Sequence, residues 1–376
     1  WTTIGKAAPS FGVIGITIVA AFSASNVLAD LGLAGQLEAV LAGLAAPAWI
    51  MASACAVGPR EGQGPLGDCF DLVAQDAAFG QDSYEQAEAA LLREACRLCL
   101  AKANIGEKGV QAMVGGDLLN QIMPSALAAR ELKFPFLGLY GACSTMSEGL
   151  LTGGMMCDGG YASPVLCTAS SHYATAERQY RYPLEYGNQR SPASQWTVTG
   201  GGAVLLSRPE ALPGTPMARL ARGCIGRVVD LGVTDNNNMG AAMAPAAAAT
   251  LCAYMDDTGD TPEQFDRIIT GDLGMVGSDL LLAWCEKMGH PLPRGCMMDC
   301  GLTIYDPSQD SHAGGSGCGC SATVLSAYIL PRIQRGEWKR VLFMATGALL
   351  SPTTTQQGES IPGVAHAVII EGVGAC

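Results

Sequence analysis

The chain has 376 residues, of which 49% are apolar and only 15% are charged, so it can bury a large core in one or two domains. Its net charge of −12 argues against a nucleic-acid-binding protein, because phosphate contacts require clustered Lys and Arg. The 15 cysteines are an odd number, spread through apolar segments of a chain too large to depend on disulfide bonds. We therefore expect free thiols and a reducing, cytosol-like compartment.

Residues 1–46 form an apolar segment that differs from the rest of the chain. No charged residue occurs between Lys6 and Asp30. This length could span a bilayer, although its Ser, Asn and Pro residues weaken that interpretation. A buried helix of a large core and a signal-like segment are the other two interpretations. Because the sequence begins with Trp1 rather than Met, it could also be a fragment of something longer.

The chain from residue 47 onward alternates strand-like and helix-like segments. The run APAWIMASACAV predicts a strand, residues 83–103 predict a helix, and VQAMVGGDL predicts a second strand. The segment SPVLCTASS is a further strand that leads to His172. Residues 197–207 predict a buried strand whose glycines let two backbones approach closely. Residues 172–195 alternate aromatic and charged side chains, so we expect an excursion that covers a pocket or contacts a partner.

The stretch FPFLGLYGACSTMSEGLLTGG, residues 134–154, carries the strongest chemical signal. An apolar run ends in Gly138 and Gly141, and apolar residues then recur at helical spacing. This predicts a strand, a tight turn and a helix with Cys143 in its first turn. A helix N-terminus favours an anion, so we expect this thiol to ionise readily and to be the most easily alkylated in the chain. Acyl-transferring enzymes present a nucleophile in this way. The alternative is a buried structural cysteine.

An internal repeat indicates a duplicated unit. The motif VGGDL in the first half corresponds to ITGDL in the second, and the turn around Cys143 corresponds to AGGSGCGCSA around Cys318. Each half repeats strand, helix, Gly–Cys turn, helix and strand, with a first half at about 47–207 and a second at about 208–376. Packing the halves against each other would bring the two cysteine turns to one place.

No metal or cofactor is expected from the spacing of ligating side chains. Cys96 and Cys99 form a CxxC pair inside an amphipathic helix, and no second pair follows at zinc-finger spacing. The run DNNNMG starts like a calcium loop, but Ala246 stands where the closing carboxylate is needed. We therefore interpret it as a turn.

Several long motifs follow one another between Pro47 and Glu371: GPREGQGPLG, GDLLNQ, YGACSTMSEG, SSHYATAERQYRYPLEYG, MAPAAA, DCGLTIYD, HAGGSGCGCSA and ATGALLSPTTTQQGESIPGVAH. They resemble those of the thiolase and ketoacyl-synthase superfamily and, more closely, those of the stage V sporulation protein AD family. The resemblance implies an α/β chain with the thiolase-like, layered αβαβα fold made of two duplicated halves, residues 47–376 forming one domain.

The same resemblance implies a biological setting. Members of the family take part in moving dipicolinic acid into the developing spore. The chain is therefore expected at the forespore or spore inner membrane, peripherally associated, with sporulation membrane channel proteins as partners. A homodimer is also expected, since thiolase-like folds usually pair through a strand near the GGGAV and CTASS segments.

The catalytic pattern of the superfamily is incomplete in this sequence. Condensing enzymes pair the cysteine with a histidine from a PHQ-type motif, and the position after IIT holds Gly271 and Asp272 instead. The region expected to supply an asparagine contains Gly315 and Ser316. A cysteine without a placed base and oxyanion donors runs condensation poorly. The resemblance therefore makes Cys143 a vestigial nucleophile.

The pocket of such a protein would hold a ligand rather than transform one. Dipicolinate is flat and doubly negative at its edge, so its site needs a narrow slot with several donors, such as a helix N-terminus. Asp117 fits only if it is protonated, hydrogen-bonded to a neighbour or facing a calcium ion that travels with the ligand. We expect His290 and His366 to be structural. The candidate ligand-binding residues are Asp117, Cys143, Ser144, Ser147, His172 and His312.

Three functions remain open from the sequence. The favoured one is a non-catalytic protein that binds dipicolinic acid, with or without calcium, and supports its uptake into the developing spore. The alternative is a thiolase-superfamily acyl-transfer or condensing enzyme with a rearranged Cys/His site. The third is a scaffold for membrane channel proteins, with the pocket a relic.

Overall fold

The computed structural model describes residues 43–180 and 190–374. The interpretations of residues 1–42, including a membrane span, lie outside the described residues, as does the middle of the aromatic stretch, residues 181–189. Within the described ranges, no helix combines the length and the apolar character needed to cross a membrane.

The strands and helices of the described residues are numbered here in chain order. The strands are β1 (Gly43–Val57), β2 (Leu72–Val73), β3 (Ala112–Gly116), β4 (Phe136–Gly138), β5 (Val165–Ser171), β6 (Trp196–Thr197), β7 (Gly200–Ser207), β8 (Ala218–Cys224), β9 (Arg267–Thr270), β10 (Met297–Asp299), β11 (Gly315–Ser316), β12 (Arg340–Ala348) and β13 (Gly363–Glu371). The helices are α1 (Pro59–Gly62), α2 (Tyr84–Lys102), α3 (Met123–Leu132), α4 (Thr145–Asp158), α5 (Tyr173–Tyr180), α6 (Met239–Thr258), α7 (Gly274–Lys287), α8 (Cys300–Ile304), α9 (Cys318–Val324), α10 (Leu330–Gln334) and α11 (Pro352–Gln356).

Most of the strands form one 11-stranded sheet in the order β10-β9-β12-β13-β8-β1-β7-β5-β3-β4, with β2 beside β1. In the first half, β4, β3 and β5 are parallel, and β7 and β1 follow in antiparallel pairing. The second half repeats this pattern, because β10, β9 and β12 are parallel and β13 and β8 follow in antiparallel pairing. The half-sheets join where the start of β1 pairs with β8. The duplicated α/β architecture expected from the sequence is confirmed.

Helices occupy three layers around the two half-sheets. Helix α4 contacts β3 and β5 of the first half and also β12 and β13 of the second, so it lies between them together with α9. Helices α2 and α3 cover the outer face of the first half, and α6 and α7 cover that of the second. Three apolar clusters match these layers, a central one around Met146 and outer ones around Leu91 and Leu251. The result is the layered αβαβα arrangement.

Capping side chains explain where two of the long helices begin. The Ser83 hydroxyl accepts a hydrogen bond from the first turn of α2, and the Asn238 side chain does the same for α6. The DNNNMG run is therefore a helix cap, consistent with a turn rather than a calcium loop. Cys96 and Cys99 are buried in α2 as packing side chains.

The strands that carry the CTASS and GGGAV segments are internal in the sheet, and a homodimer through a strand near them stays a prediction. Strand β5 lies between β3 and β7, and β7 lies between β5 and β1. Neither strand has a free edge, so neither can pair with a second copy. The open edge of the first half is β4, where Leu137 is 46% exposed.

Strand β7 passes so close to helix α9 that only glycine fits at one position. A Cβ atom at Gly202 would lie 2.5 Å from the carbonyl oxygen of Ala322. The close backbone approach predicted for residues 197–207 is confirmed.

We expect Gly202→Ala to lower the free energy of unfolding by about 1–3 kcal/mol, because the new methyl group must displace helix backbone. Chemical denaturation followed by circular dichroism measures this change. Gly106→Ala is the matched control, since a Cβ there meets no atom within 4 Å and its φ is −87°. Equal stability of the two variants would contradict the close packing of β7 on α9.

Candidate functional site

The two cysteine turns of the repeat meet in the central layer. Cys143 lies in the short turn Ala142–Ser144 that precedes α4, and Cys318 is the first residue of α9. The Cys318 thiol donates a hydrogen bond to the Ala142 carbonyl oxygen at 3.0 Å. The backbone at Ala142 has a φ of 50°, in the left-handed region, which turns the chain sharply before α4. The predicted strand, turn and helix, and the meeting of the two turns, are confirmed, but Cys143 lies in the turn just before α4 rather than in the first turn of the helix.

The Cys143 side chain reaches a pocket but is only 5% exposed. Its thiol lies beside the Asp272 carboxyl group. Burial, then the Asp272 charge and Cys318, raise the pKa of the Cys143 thiol well above its ordinary value, against a smaller opposing effect of the Gly317 N–H. The thiol is therefore protonated at neutral pH. The prediction of a readily ionised thiol is wrong, because desolvation outweighs the helix N-terminus.

The same burial corrects the prediction about alkylation. Among the described cysteines, Cys69 is exposed whereas Cys143 is buried. A protonated, enclosed thiol reacts slowly, since the thiolate is the nucleophile. We now expect Cys69 to react before Cys143.

Asp272 is the site residue whose role the sequence analysis missed. Its carboxylate oxygens accept hydrogen bonds from the Gly317 N–H at 2.9 Å and the Thr346 hydroxyl at 3.0 Å. Burial raises the pKa of this carboxyl to about 7. The sequence did contain a signal for this residue. Asp272 directly follows Gly271, at the position where condensing enzymes have their histidine base, and we interpreted that position only as the loss of the base.

The pocket in front of Cys143 contains about 440 Å³ of space, including its mouth. Its walls are mainly apolar and aromatic, with no Lys, Arg, Asp or Glu among the described residues that line it. Two residues with hydroxyl side chains line it from paired strands, Thr197 on β6 and Ser316 on β11. The lining residues are Leu118, Tyr140, Ala142, Cys143, Ala176, Tyr180, Thr197, Met239, Ser316, Gly317, Ala348 and Leu350.

Three predicted ligand-binding residues point away from this pocket. Asp117 is buried and accepts hydrogen bonds from the Leu119 N–H and from both the N–H and hydroxyl of Ser125. The Ser144 hydroxyl donates to the Gly141 carbonyl at 2.7 Å, and the Ser147 hydroxyl accepts from the Ala345 N–H at 2.8 Å. All three side chains satisfy backbone or hydroxyl groups of the protein itself, Ser147 across the two halves and the other two within their own turns.

Neither predicted histidine lines the pocket. The Nε2 atom of His172 is 2.8 Å from the Ala77 carbonyl, and burial lowers the pKa of its ring. His312 pairs with Asp310 at 2.9 Å, and its Nδ1 atom is 2.8 Å from the Ser191 carbonyl. A Cys/His pair is therefore absent from the pocket lining in the described part of the chain.

The remaining histidines are held by local contacts, as their position in the sequence suggested. His290 contacts the Asp256 carboxylate at 2.9 Å. His366 accepts a hydrogen bond from the Gly226 N–H, and burial lowers the pKa of its ring to about 4.

Solved structures with this architecture define the class. The 3-oxoacyl-[acyl-carrier-protein] synthase III from Aquifex aeolicus VF5 superimposes with a TM-score of 0.54 at 14% identity, covering 86% of this chain and 99% of that chain. Human mitochondrial 3-ketoacyl-CoA thiolase, in complex with CoA, gives a TM-score of 0.56 at 12% identity, covering 88% and 99%. The protein has the thiolase-like fold expected from the resemblance.

Sequence comparison then defines the family. The profile of stage V sporulation protein AD matches residues 41–371. Stage V sporulation protein AD of Bacillus subtilis (strain 168) is 43% identical over 328 residues, which are 87% of this chain and 95% of that protein. The chain belongs to the stage V sporulation protein AD family.

We expect Asp117→Ala to lower the free energy of unfolding by about 1–3 kcal/mol, because buried donors of Ser125 and Leu119 lose their acceptor. This replaces the expectation that Asp117 binds the ligand. Thermal and urea unfolding measure the effect. The exposed Asp82 supplies the control, Asp82→Ala, with little expected change. If Asp117→Ala instead weakens ligand binding and leaves the free energy of unfolding unchanged, Asp117 belongs to the ligand site.

We also expect Asp272→Asn to speed alkylation of Cys143 by iodoacetamide at pH 8 about two- to tenfold, because the variant removes a charge that opposes the thiolate. At this pH the wild-type carboxyl is ionised, since its pKa is raised only to about 7. Peptide mass spectrometry measures the rate, and Cys69 in the same sample is the internal reference. A slower or unchanged rate would show that the carboxyl does not control the thiol.

Proposed function

We propose that this protein is a non-catalytic, dipicolinic-acid-binding member of the family, which supports uptake of dipicolinic acid into the developing spore. The observation that carries the proposal is the shape and chemistry of the pocket in front of Cys143. An aromatic, largely apolar slot with a few hydroxyl donors suits a flat ring with polar groups at its edge.

The polar part of the ligand would meet Thr197 and Ser316. These residues face each other on the two-stranded sheet of β6 and β11. Neither hydroxyl forms a hydrogen bond with any of the described residues of the chain, so both protons remain available to a carboxylate. The two hydroxyls replace Ser144 and Ser147 as the proposed donors.

The charges around the pocket favour a ligand whose negative charge is partly neutralised. The pocket lining carries no Lys or Arg, and Asp272 lies directly behind Cys143. A bare dianion would meet no counter-charge there, whereas a calcium ion chelated by the ligand's own carboxylates would reduce the repulsion. Within the described ranges, no group of three or more His, Cys, Asp or Glu side chains could hold a metal ion. Calcium would therefore enter with the ligand.

A second candidate function rests on the contact between Cys143 and Asp272. A carboxyl group with a pKa near that of a general base lies against a cysteine at the nucleophile position of the fold. This arrangement would support acyl transfer with a Cys/Asp rather than a Cys/His pair. The protonated thiol weighs against it. Turnover of a malonyl or acetoacetyl thioester that disappears in Cys143→Ala would establish the enzyme.

The biological setting is part of the same proposal. Membership of the sporulation family supports a place at the forespore or spore inner membrane, peripherally attached and together with sporulation membrane channel proteins. The proposed homodimer would use the open sheet edge at β4, because an exposed strand edge pairs readily with another strand. Light scattering at micromolar concentration tests the dimer, and a monodisperse monomer would reject it.

Calorimetric titration with dipicolinate, with and without calcium, tests the binding function. We expect the parent protein to bind, and Thr197→Val and Ser316→Ala each to weaken binding about ten- to hundredfold, as for a lost hydrogen bond to a charged group. Thr215→Val, at an exposed threonine outside the pocket lining, is the matched control.

The titration tests the binding function and the binding residues separately. A parent protein that binds no dipicolinate under either condition rejects the proposed function. A parent that binds while both variants bind equally tightly keeps the function but rejects Thr197 and Ser316 as the donors.

A further inference from the structure

Three oxygen atoms at one side of the pocket lie in mutual hydrogen-bond contact. The phenol oxygens of Tyr140 and Tyr180 are 2.5 Å apart, and the Tyr140 oxygen is 3.0 Å from the Leu118 carbonyl oxygen. The Tyr180 hydroxyl also donates to that carbonyl, and the Gln179 amide approaches it at 3.5 Å. All three members of the triangle, Leu118, Tyr140 and Tyr180, line the pocket.

The Leu118 carbonyl oxygen has more donors near it than it can accept from. A carbonyl oxygen has two lone pairs, and three side-chain donors approach Leu118. The two phenols supply only two protons for three oxygen–oxygen contacts, so one contact always lacks a proton. If one phenol turned to another acceptor, the second phenol and Gln179 would still satisfy the carbonyl.

Both phenols stay protonated in this setting. Burial is the largest cause that raises the pKa of the Tyr140 and Tyr180 hydroxyls. Each therefore offers a proton at neutral pH and above. Tyr140 precedes the Cys143 turn and Tyr180 ends α5, so two separate segments supply the pair.

We propose that Tyr140 and Tyr180 are the residues that recognise a carboxylate on the pocket ligand, one phenol turning from the Leu118 carbonyl to donate to it. This inference rests on the proposed ligand-binding function and adds the basis of selectivity. The pair selects aromatic ligands that carry a carboxylate at the ring edge over neutral ligands of the same shape. The spare donor makes the exchange possible without leaving a buried carbonyl unpaired.

The test compares two probes, dipicolinate and the neutral pyridine-2,6-dicarboxamide, by calorimetric titration. We expect the double variant Tyr140→Phe/Tyr180→Phe to lose about ten- to hundredfold in dipicolinate affinity. Its affinity for the diamide should change by less than about threefold. Each single variant should show part of the dipicolinate loss, because the remaining phenol can still donate. Tyr161→Phe is the control, at a tyrosine that is 63% exposed and outside the pocket lining.

The outcomes distinguish this inference from the proposed function. If the parent binds dipicolinate and the double variant binds it equally well, the phenols do not recognise the carboxylate. If the double variant loses both probes to the same extent at an unchanged thermal midpoint, the phenols only shape the pocket, and the inference is equally wrong. A parent that binds no dipicolinate rejects the function on which the inference rests.

Discussion

The buried carboxyl group of Asp272 ties the two halves of the fold together at the pocket. It follows β9 in the second half, contacts the Cys143 thiol of the first half and accepts hydrogen bonds from Gly317 and Thr346. Burying a carboxyl group is costly unless its oxygens are hydrogen-bonded, and these contacts offset that cost. They also fix the positions of the turns at Cys143 and Cys318, on which the pocket depends.

The same carboxyl group determines what the cysteine can do. Burial and the neighbouring acid hold the proton of the Cys143 thiol in place, so this cysteine is a poor nucleophile at neutral pH. Burial of this side chain between the two halves therefore outweighs the effect of the helix N-terminus that follows it.

Most polar side chains near the pocket are used to satisfy buried backbone. Ser144, Ser147 and Asp117 all bond to nearby backbone groups, and the His172 ring bonds to the Ala77 carbonyl. Dense packing in the central layer leaves little room for water molecules that could form these hydrogen bonds instead. The pocket lining includes instead Thr197 and Ser316 from the short sheet of β6 and β11, whose strands belong to different parts of the chain.

The sequence by itself determined the class of fold, most long elements and the meeting of the two cysteine turns. These follow from hydrophobic periodicity, capping residues and an internal repeat, all of which are local or self-similar patterns. Only the tertiary structure decided which polar groups face the pocket and whether Cys143 ionises. Asp272 and Cys143 are far apart in the chain, and Thr197 and Ser316 become neighbours only through strand pairing. Burial and such long-range contacts set side-chain direction and pKa, and no local pattern encodes them.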